Sequence, residues 1–412
     1  MSDRPEPAGR RERIAQLDVL RGLAVLGILM VNAPAFAMPP MVGDRPDLSP
    51  WPFEGLSVAI WWMVRTVFEQ KFVTLFSLLF GVSVFLVGGE RGAERARGAV
   101  LRRRISWLIV FGVAHGALIW FGDILLLYGL AGLAMMFCRS WGPWRLATIG
   151  LGLMALSCVL ILQGDFALQS ASAAEQALRL PDAVDVSRAI ARLEGGLSSA
   201  QALNLDYWLF YADWSARHYG FMTLGLMMVG LALFKLGVWQ GRAPRRTYLA
   251  MIAAGAAALA VIGWNAADQV RDGFPSATLG YDNLPNLALA PVVTLGYVAA
   301  IILGLRNGRL RVAAALLTPV GRMAFTNYIA QSLIMTAIFY GGRGLGLVGR
   351  LDWPQWTLIV VVVWLLQIGG SGWWLKHFTM GPLEWVWRQL SYGRQLPLVR
   401  HAALERPAVP TH

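Results

Sequence analysis

The sequence predicts an all-α polytopic membrane bundle of about ten transmembrane helices, and three observations carry that prediction. Of the 412 residues, 56% are apolar and 15% charged, where a soluble domain averages about 25% charged. Apolar runs of about 17 to 25 residues, long enough to cross a hydrocarbon core about 30 Å thick, recur along the chain. Those runs lack the alternation of apolar and polar positions that a membrane barrel needs, so their backbone amides must be satisfied within helices. A formal net charge of +12 would suggest nucleic-acid binding in a soluble chain, but the arginines sit in short loops between apolar runs, where they set topology. The only cysteines, Cys138 and Cys158, lie in or beside apolar runs and support neither a disulfide framework nor a zinc cluster.

The spans begin near Leu17, Phe72, Ile105, Ile124, Leu146, Phe221, Tyr248, Leu287, Met323 and Trp356. This divides the chain into a basic cytoplasmic tail (1–16), five helices (17–163), a periplasmic helical cap (164–217), five more helices (218–376) and a cytoplasmic C-terminal tail (377–412). The first run, ending at Ala35-Phe36-Ala37, also fits a cleaved leader, but Asp18, Arg21 and Asn32 within it favour a retained helix. Residues 45–68, rich in Trp and Phe and punctuated by Pro, suit a helix lying at the headgroup level. The cap stretch carries helical spacing around Val184–Leu193 and Leu203–Trp214. Loops on alternate sides hold 23 and eight Lys and Arg residues, which predicts that both termini are cytoplasmic. No internal repeat of the kind that marks many transporters is visible.

Ionisable and amide groups inside such spans are costly, so they are the candidates for function. Asp18, Arg21, Val25, Ile28 and Asn32 share one stripe of the first helix. Asp18 and Arg21 form either a simple i, i+3 pair or the wall of a vestibule facing an anion, with Asn32 in the outer half of the same cavity. His115, near mid-membrane, is either a hydrogen-bonded packing residue or a general base. Asp123, in the turn Gly122-Asp123-Ile124-Leu125, either caps the fourth helix or orients His115 or an acceptor, with Tyr128 nearby. Along a continuous helix Asp123 and His115 would be about 12 Å apart, so contact requires the chain to turn back. Glu69 and Lys71 at the second span, and Arg322, Asn327 and Gln331 at the ninth, either line that cavity or serve as interface anchors and helix-to-helix hydrogen bonds. Arg102, Arg103 and Arg104 either set topology or bind a phosphorylated cytosolic donor. No phosphate loop, zinc-protease histidine pair, nucleophile elbow or haem motif is present, so neither a metal site nor a tightly bound cofactor is expected.

The chain resembles the YeiB-like membrane family, long carried as a domain of unknown function. The likeness rests on Gln16-Leu17-Asp18-Val19-Leu20-Arg21-Gly22 with Asn32, on His115 followed by Gly122-Asp123-Ile124-Leu125, and on two C-terminal groups. These are Gly321-Arg322 with Thr326-Asn327-Tyr328 and Gln331-Ser332, and Gly381-Pro382-Leu383-Glu384-Trp385 with Tyr392-Gly393. That family is similar in turn to transmembrane acyltransferases, among them the lysosomal enzyme that acetylates heparan glucosamine. The resemblance implies acyl transfer from cytosolic acyl-CoA to an envelope sugar, lipid or small metabolite. The acetylating relatives carry a histidine in or soon after the first helix, whereas the first intramembrane histidine here is His115.

On this reading Arg21 and Arg102–Arg104 bind the donor, His115 is the base, Asn32 holds the oxyanion, and Asp123 orients base or acceptor. The alternative is a multi-pass transporter or flippase using the same polar stripe as a path and His115 as a proton relay. The expected partners are the lipid bilayer, an acyl donor and an envelope acceptor, with self-association left open and nucleic acid excluded.

Overall fold

A computed structural model describes residues 15–399 apart from 93–94, 173, 177–179 and 276–278. The N-terminal arginines Arg4, Arg10, Arg11 and Arg13 and the tail from residue 400 lie outside the described residues. The described chain is helical, with the elements α1 (Ala15–Ala37), α2 (Met41–Asp44), α3 (Leu56–Met63), α4 (Lys71–Gly88), α5 (Arg95–Leu118), α6 (Leu125–Cys138), α7 (Pro143–Gln169) and α8 (Ala183–Glu194). They continue as α9 (Leu197–His218), α10 (Gly220–Lys235), α11 (Arg245–Asp272), α12 (Leu279–Arg306), α13 (Arg311–Arg322), α14 (Ala324–Phe339), α15 (Trp353–His377) and α16 (Pro382–Tyr392). A π-helical turn, Val64–Phe68, follows α3.

Six described helical segments are long and apolar enough to cross a membrane: Gln16–Ala37, Leu56–Gly88, Pro143–Gln169, Arg245–Asp272, Asp282–Arg306 and Trp353–His377. The pair α9 and α10, bent by 56°, makes a seventh if taken as one span. The molecule is therefore a multi-pass helical membrane protein. α6 and α14 are apolar but short, about 21 and 24 Å at 1.5 Å per residue. The apolar half of α5 begins only after Arg104. α7 runs on to Gln169, past the expected limit at 163. Its outward face, with Leu151, Val159 and Phe166, is exposed, as are Leu358, Leu365 and Leu366 of α15. In a lipid-embedded bundle such faces meet acyl chains at no cost.

Two large buried clusters stack along the bundle. One contains Leu20, Ala24, Ile28, Leu75, Tyr128 and Tyr328; the other contains Leu29, Phe36, Trp120, Phe339, Tyr340 and Trp356. α1 threads both. The helices α8 and α9 close the second cluster through Ala189, Leu193, Ala200 and Leu203. α8 starts at a reciprocal cap in which Asp182 accepts from the Asp185 amide and the Asp185 carboxylate accepts from the Asp182 amide.

Close approach of α1 to α13 fixes the end of the bundle where the arginines gather. A methyl group at Gly22 would run into the Leu317 carbonyl oxygen, and one at Gly321 into the Asp18 carbonyl oxygen. Two backbones in such contact admit no side chain between them. Gly321→Val should lower thermal stability in detergent by at least about 1–3 kcal/mol, the usual cost of overpacking. An unchanged melting curve would contradict the crossing.

Candidate functional site

Packing of α1, α4, α5, α6, α14 and α16 leaves a cavity of about 530 Å³. Its two ends differ in chemistry. Near the starts of α1 and α5 it is lined, among the described residues, by Arg21, Arg97, Arg104, Arg322 and Arg388 and by the carboxylates Asp18 and Glu384. Further in it is lined by Val25, Ile28, Phe76, Phe80, Leu108, Leu125, Tyr128 and Tyr328.

Asp18, a serine hydroxyl, backbone carbonyls and an aromatic ring hold the arginines at the charged end. Arg21 Nη1 donates to Asp18 Oδ1 at 3.1 Å and its Nη2 to Ser83 Oγ at 2.8 Å. Arg97 donates to the carbonyls of Val87 and Leu86 at 3.2 and 2.7 Å, where α4 runs out of amides to occupy them. Arg322 donates to the Thr379 carbonyl at 3.0 Å. Arg104 lies over the Trp387 ring at 3.8 Å, while the Trp387 indole N–H donates to the Arg104 carbonyl at 2.8 Å. Arg388 and Arg21 are both within electrostatic reach of Arg104. Like charges gathered beside an apolar chamber favour an anion with an apolar tail.

Glu384 works on a neighbouring helix. Its carboxylate accepts from the amides of Phe325 and Thr326 at 2.7 and 3.1 Å and from the Thr326 hydroxyl at 2.6 Å. It thus occupies free amides at the start of α14 from a different segment, with its charge at the positive end of the helix dipole. Burial pushes this carboxyl above its ordinary value, against the opposing pull of those hydrogen bonds.

Deeper in the bundle, the chain turns back after α5 and brings Asp123 onto His115. His115 Nδ1 lies 2.8 Å from Asp123 Oδ1, and both side chains are essentially inaccessible, at 1% and 0% exposure. The same carboxylate accepts from the amides of Leu125 (3.1 Å) and Leu126 (2.8 Å), so it caps α6 as well. One carboxylate thus makes both the contact with His115 and the cap on α6. Gly112 permits this turn, because a methyl there would meet the Leu126 amide nitrogen. The end of α5 is held by Asn204 of α9, which donates to the Gly116 carbonyl at 2.9 Å, and by Arg343, which donates to the Leu118 carbonyl at 2.9 Å. His115 Nε2 faces Ser332 Oγ at 2.9 Å. The Tyr328 ring, 5.1 Å from the His115 ring, stands between this group and the cavity.

Of the residues singled out from sequence, Asp18, Arg21, Arg104, Tyr128 and Arg322 line the cavity. Tyr128 does so with its ring, since its hydroxyl is turned to Ser77 Oγ and the Val73 carbonyl at 2.8 and 3.1 Å. His115 and Asp123 lie behind Tyr328. Arg102 and Arg103 are exposed and do not line the cavity, because consecutive helical residues point 100° apart and only Arg104 faces inward. Asn32 does not line it either: the lining on α1 ends at Ile28, one turn short of it. Asn327 and Gln331 form helix-to-helix bonds, to Ser371 Oγ at 3.0 Å and Gln367 Oε1 at 2.8 Å. Glu69 and Lys71 belong to a separate buried network. Arg65 Nη1 donates to Glu69 at 2.7 Å and to Asp44 at 3.3 Å, and Lys71 Nζ donates to Asn286 Oδ1 and the Arg65 carbonyl at 2.5 and 3.1 Å. Arg97 and Trp387 enter as new participants, and Glu384 and Ser332, marked in the sequence only as parts of the family likeness, acquire partners here. Pro382 at the first turn of α16 marked a helix start, but not which helix its Glu384 would cap.

Fold and site together define a multi-pass helical membrane protein with a cation-lined, apolar-floored cavity and a buried histidine–carboxylate pair behind it. The chain belongs to the YeiB-like family. It is 32% identical to the Uncharacterized protein YeiB of Escherichia coli (strain K12), over 94% of this chain and 98% of that protein. It is 28% identical to the Uncharacterized protein YxaH of Bacillus subtilis (strain 168), over 96% of this chain and 98% of the relative. Residues 231–394 match the family described as Protein of unknown function (DUF418). That range holds Arg322, Ser332 and Glu384 but neither the α1 arginine nor His115, which are covered by the full-length relatives. No solved structure matches the chain.

Replacing Glu384 with Ala should cost about 1–3 kcal/mol, the range for orphaning buried donors, and replacing it with Gln should cost less. Because the folded carboxyl is raised, its contribution is fullest below the ordinary glutamate pKa and declines as pH rises through the raised value. Comparing the pH dependence of melting for wild type and E384Q checks this; identical profiles would contradict it.

Proposed function

We propose that this protein is a membrane acyltransferase that takes an acyl group from a cytosolic acyl-CoA and passes it to an envelope sugar, lipid or small metabolite. The supporting observation is the polarity gradient of the cavity: five arginines at one end and an apolar chamber at the other, ending at a wall behind which lies His115 with Asp123. The arginines suit the phosphates of the donor, and the chamber suits its acyl arm. His115 serves as general base on the acceptor, its Nδ1 proton held by Asp123 so that Nε2, beside Ser332 Oγ, carries the lone pair that takes one.

On this reading α5, α6, α10 and α14 cross the membrane along with the six longer spans. The ten-helix bundle then has both termini and the arginine end of the cavity in the cytoplasm of an inner-membrane protein. The asymmetry of 23 against eight basic residues supports that orientation. Transport or lipid flipping is the second reading. It is favoured by the interruption of the Leu56–Gly88 stretch at Val64–Phe68, beside the buried Arg65 and Lys71, since broken helices with buried charge mark many substrate paths.

Purified protein in detergent should release free thiol from an acyl-CoA in the presence of envelope extracts. Arg104→Ala should lower kcat/KM about tenfold or more through KM, consistent with loss of a charge-assisted contact. His115→Ala should lower kcat by about 10²–10⁴. Flux in proteoliposomes without any chemical change in the cargo would instead establish the transport reading.

A further inference from the structure

His115 makes a second contact that the role of a simple base does not use. The Asp123 carboxylate has three N–H groups on it: His115 Nδ1 and the amides of Leu125 and Leu126. An ionised carboxylate can only accept, so it selects the tautomer with hydrogen on Nδ1 and a lone pair on Nε2. That lone pair points at Ser332 Oγ, 2.9 Å away. The Ser332 hydroxyl has one other acceptor in reach, the Tyr328 carbonyl at 3.5 Å, a distance too long to compete. The hydroxyl therefore donates to Nε2, and the oxygen keeps its own lone pairs. Serine, histidine and aspartate joined at 2.9 and 2.8 Å form the arrangement that turns a hydroxyl into a nucleophile.

We propose that Ser332 is the nucleophile of a covalent relay and carries the acyl group as an ester between donor and acceptor. The inference rests on the acyl-donor reading of the cavity. In the first half, Ser332 Oγ attacks the thioester carbonyl carbon and its proton passes to His115 Nε2. The C–S bond then breaks, and the departing thiolate takes that proton to leave as a thiol. In the second half, an acceptor hydroxyl or amine attacks the Ser332 ester and gives its proton to Nε2. The ester C–O bond breaks, and the proton returns to Ser332 Oγ. Atoms and charge balance with no oxidant, reductant or metal.

Access to Ser332 runs past Tyr328, one helical turn before it on α14, whose ring lines the cavity. The ring is buried, but its hydroxyl is weakly held. Its hydroxyl donates to the Gly122 carbonyl at 3.3 Å and accepts from the Ile124 amide at 3.4 Å, both long, and both within the turn that carries Asp123. The relay requires this ring to move aside so that the chamber reaches Ser332.

The test is acylation of the full-length protein in detergent micelles by a fluorophosphonate and by p-nitrophenyl acyl esters, read by mass spectrometry of the intact chain and its peptides. One adduct per chain at Ser332 is expected, absent in Ser332→Ala and His115→Ala and formed at least tenfold more slowly in Asp123→Asn. Where Ser332→Ala does not fold, Ser332→Cys replaces it: the acyl adduct becomes a thioester cleaved by neutral hydroxylamine, which the serine ester resists. An unmodified Ser332, a Ser332→Cys protein that forms no thioester, or a Ser332→Ala protein that turns over acyl-CoA at the wild-type rate overturns the relay. In the last case acyl transfer itself stands, with His115 acting directly. Labelling of Ser332 without turnover of any acyl-CoA upholds the nucleophile and removes the donor reading instead.

Discussion

The Asp123 carboxylate is the interaction on which the centre of the molecule depends. A carboxylate with no solvent contact, placed within a bundle of apolar helices, is tolerable only when its charge is spread over several donors. Here three N–H groups do this, two from the start of α6 and one from the imidazole. The arrangement joins three levels of structure. Locally it ends the α5–α6 turn; in packing it locks α6 against α5 where Gly112 lets the backbones meet; chemically it sets the tautomer of His115. Loss of the carboxylate would leave two amides and an imidazole N–H without acceptors in a place water does not reach. A purely structural explanation of Asp123 and a functional one are therefore not rivals.

A similar economy governs the charged end of the cavity. Asp18 and Glu384 do not cancel the arginine field. Asp18 engages Arg21 through a single nitrogen, leaving the other on Ser83, and Glu384 spends its oxygens on the start of α14. Arg104 is held by the Trp387 ring, a partner that fixes position without supplying a counter-charge. Arg21 keeps one nitrogen on a hydroxyl and Arg104 lies against an aromatic face, so part of the positive charge at this end is not spent on a carboxylate. The helix crossing at Gly22 and Gly321 matters for the same reason, since it sets how close Arg21 and Arg322 stand at the rim.

Each of the ten spans read from the sequence begins within, or one residue before, a helix, because apolar runs and their flanking arginines are local signals. The site was legible only where local geometry sufficed. Asp18 and Arg21 are i, i+3 neighbours and pair as such. The turn after Phe121 was visible in Gly122-Asp123, so contact with His115 was accessible to reasoning even though the eight-residue spacing argued against it on a straight helix. Three consecutive arginines must fan out around a helix, so that at most one of Arg102, Arg103 and Arg104 could face inward; which one depends on where α16 lies. Asn32 shares the stripe of Arg21, but where a cavity ends along a stripe is decided by side chains from other helices. Ser332 stands out in the sequence only as part of the Gln331-Ser332 pair of the family likeness, and nothing near it signals that a histidine 217 positions away will reach it.

Depth distinguishes among the anions that could use this cavity. Along α1, from Arg21 to the last lining residue Ile28, the cavity runs about 10–11 Å at 1.5 Å per residue. A phospholipid whose phosphate sat among the arginines would hold its ester carbonyls only a few bonds away, well short of Tyr328. In a coenzyme A thioester the phosphates and the reacting carbonyl are separated by a long flexible arm. Its carbonyl can stand at the Tyr328 wall while its phosphates remain at the rim. On the acyl-donor reading, the arginine end and the buried His115–Asp123 pair are suited to the two ends of such a donor, whereas a lipid headgroup bound at the rim would leave that pair unemployed.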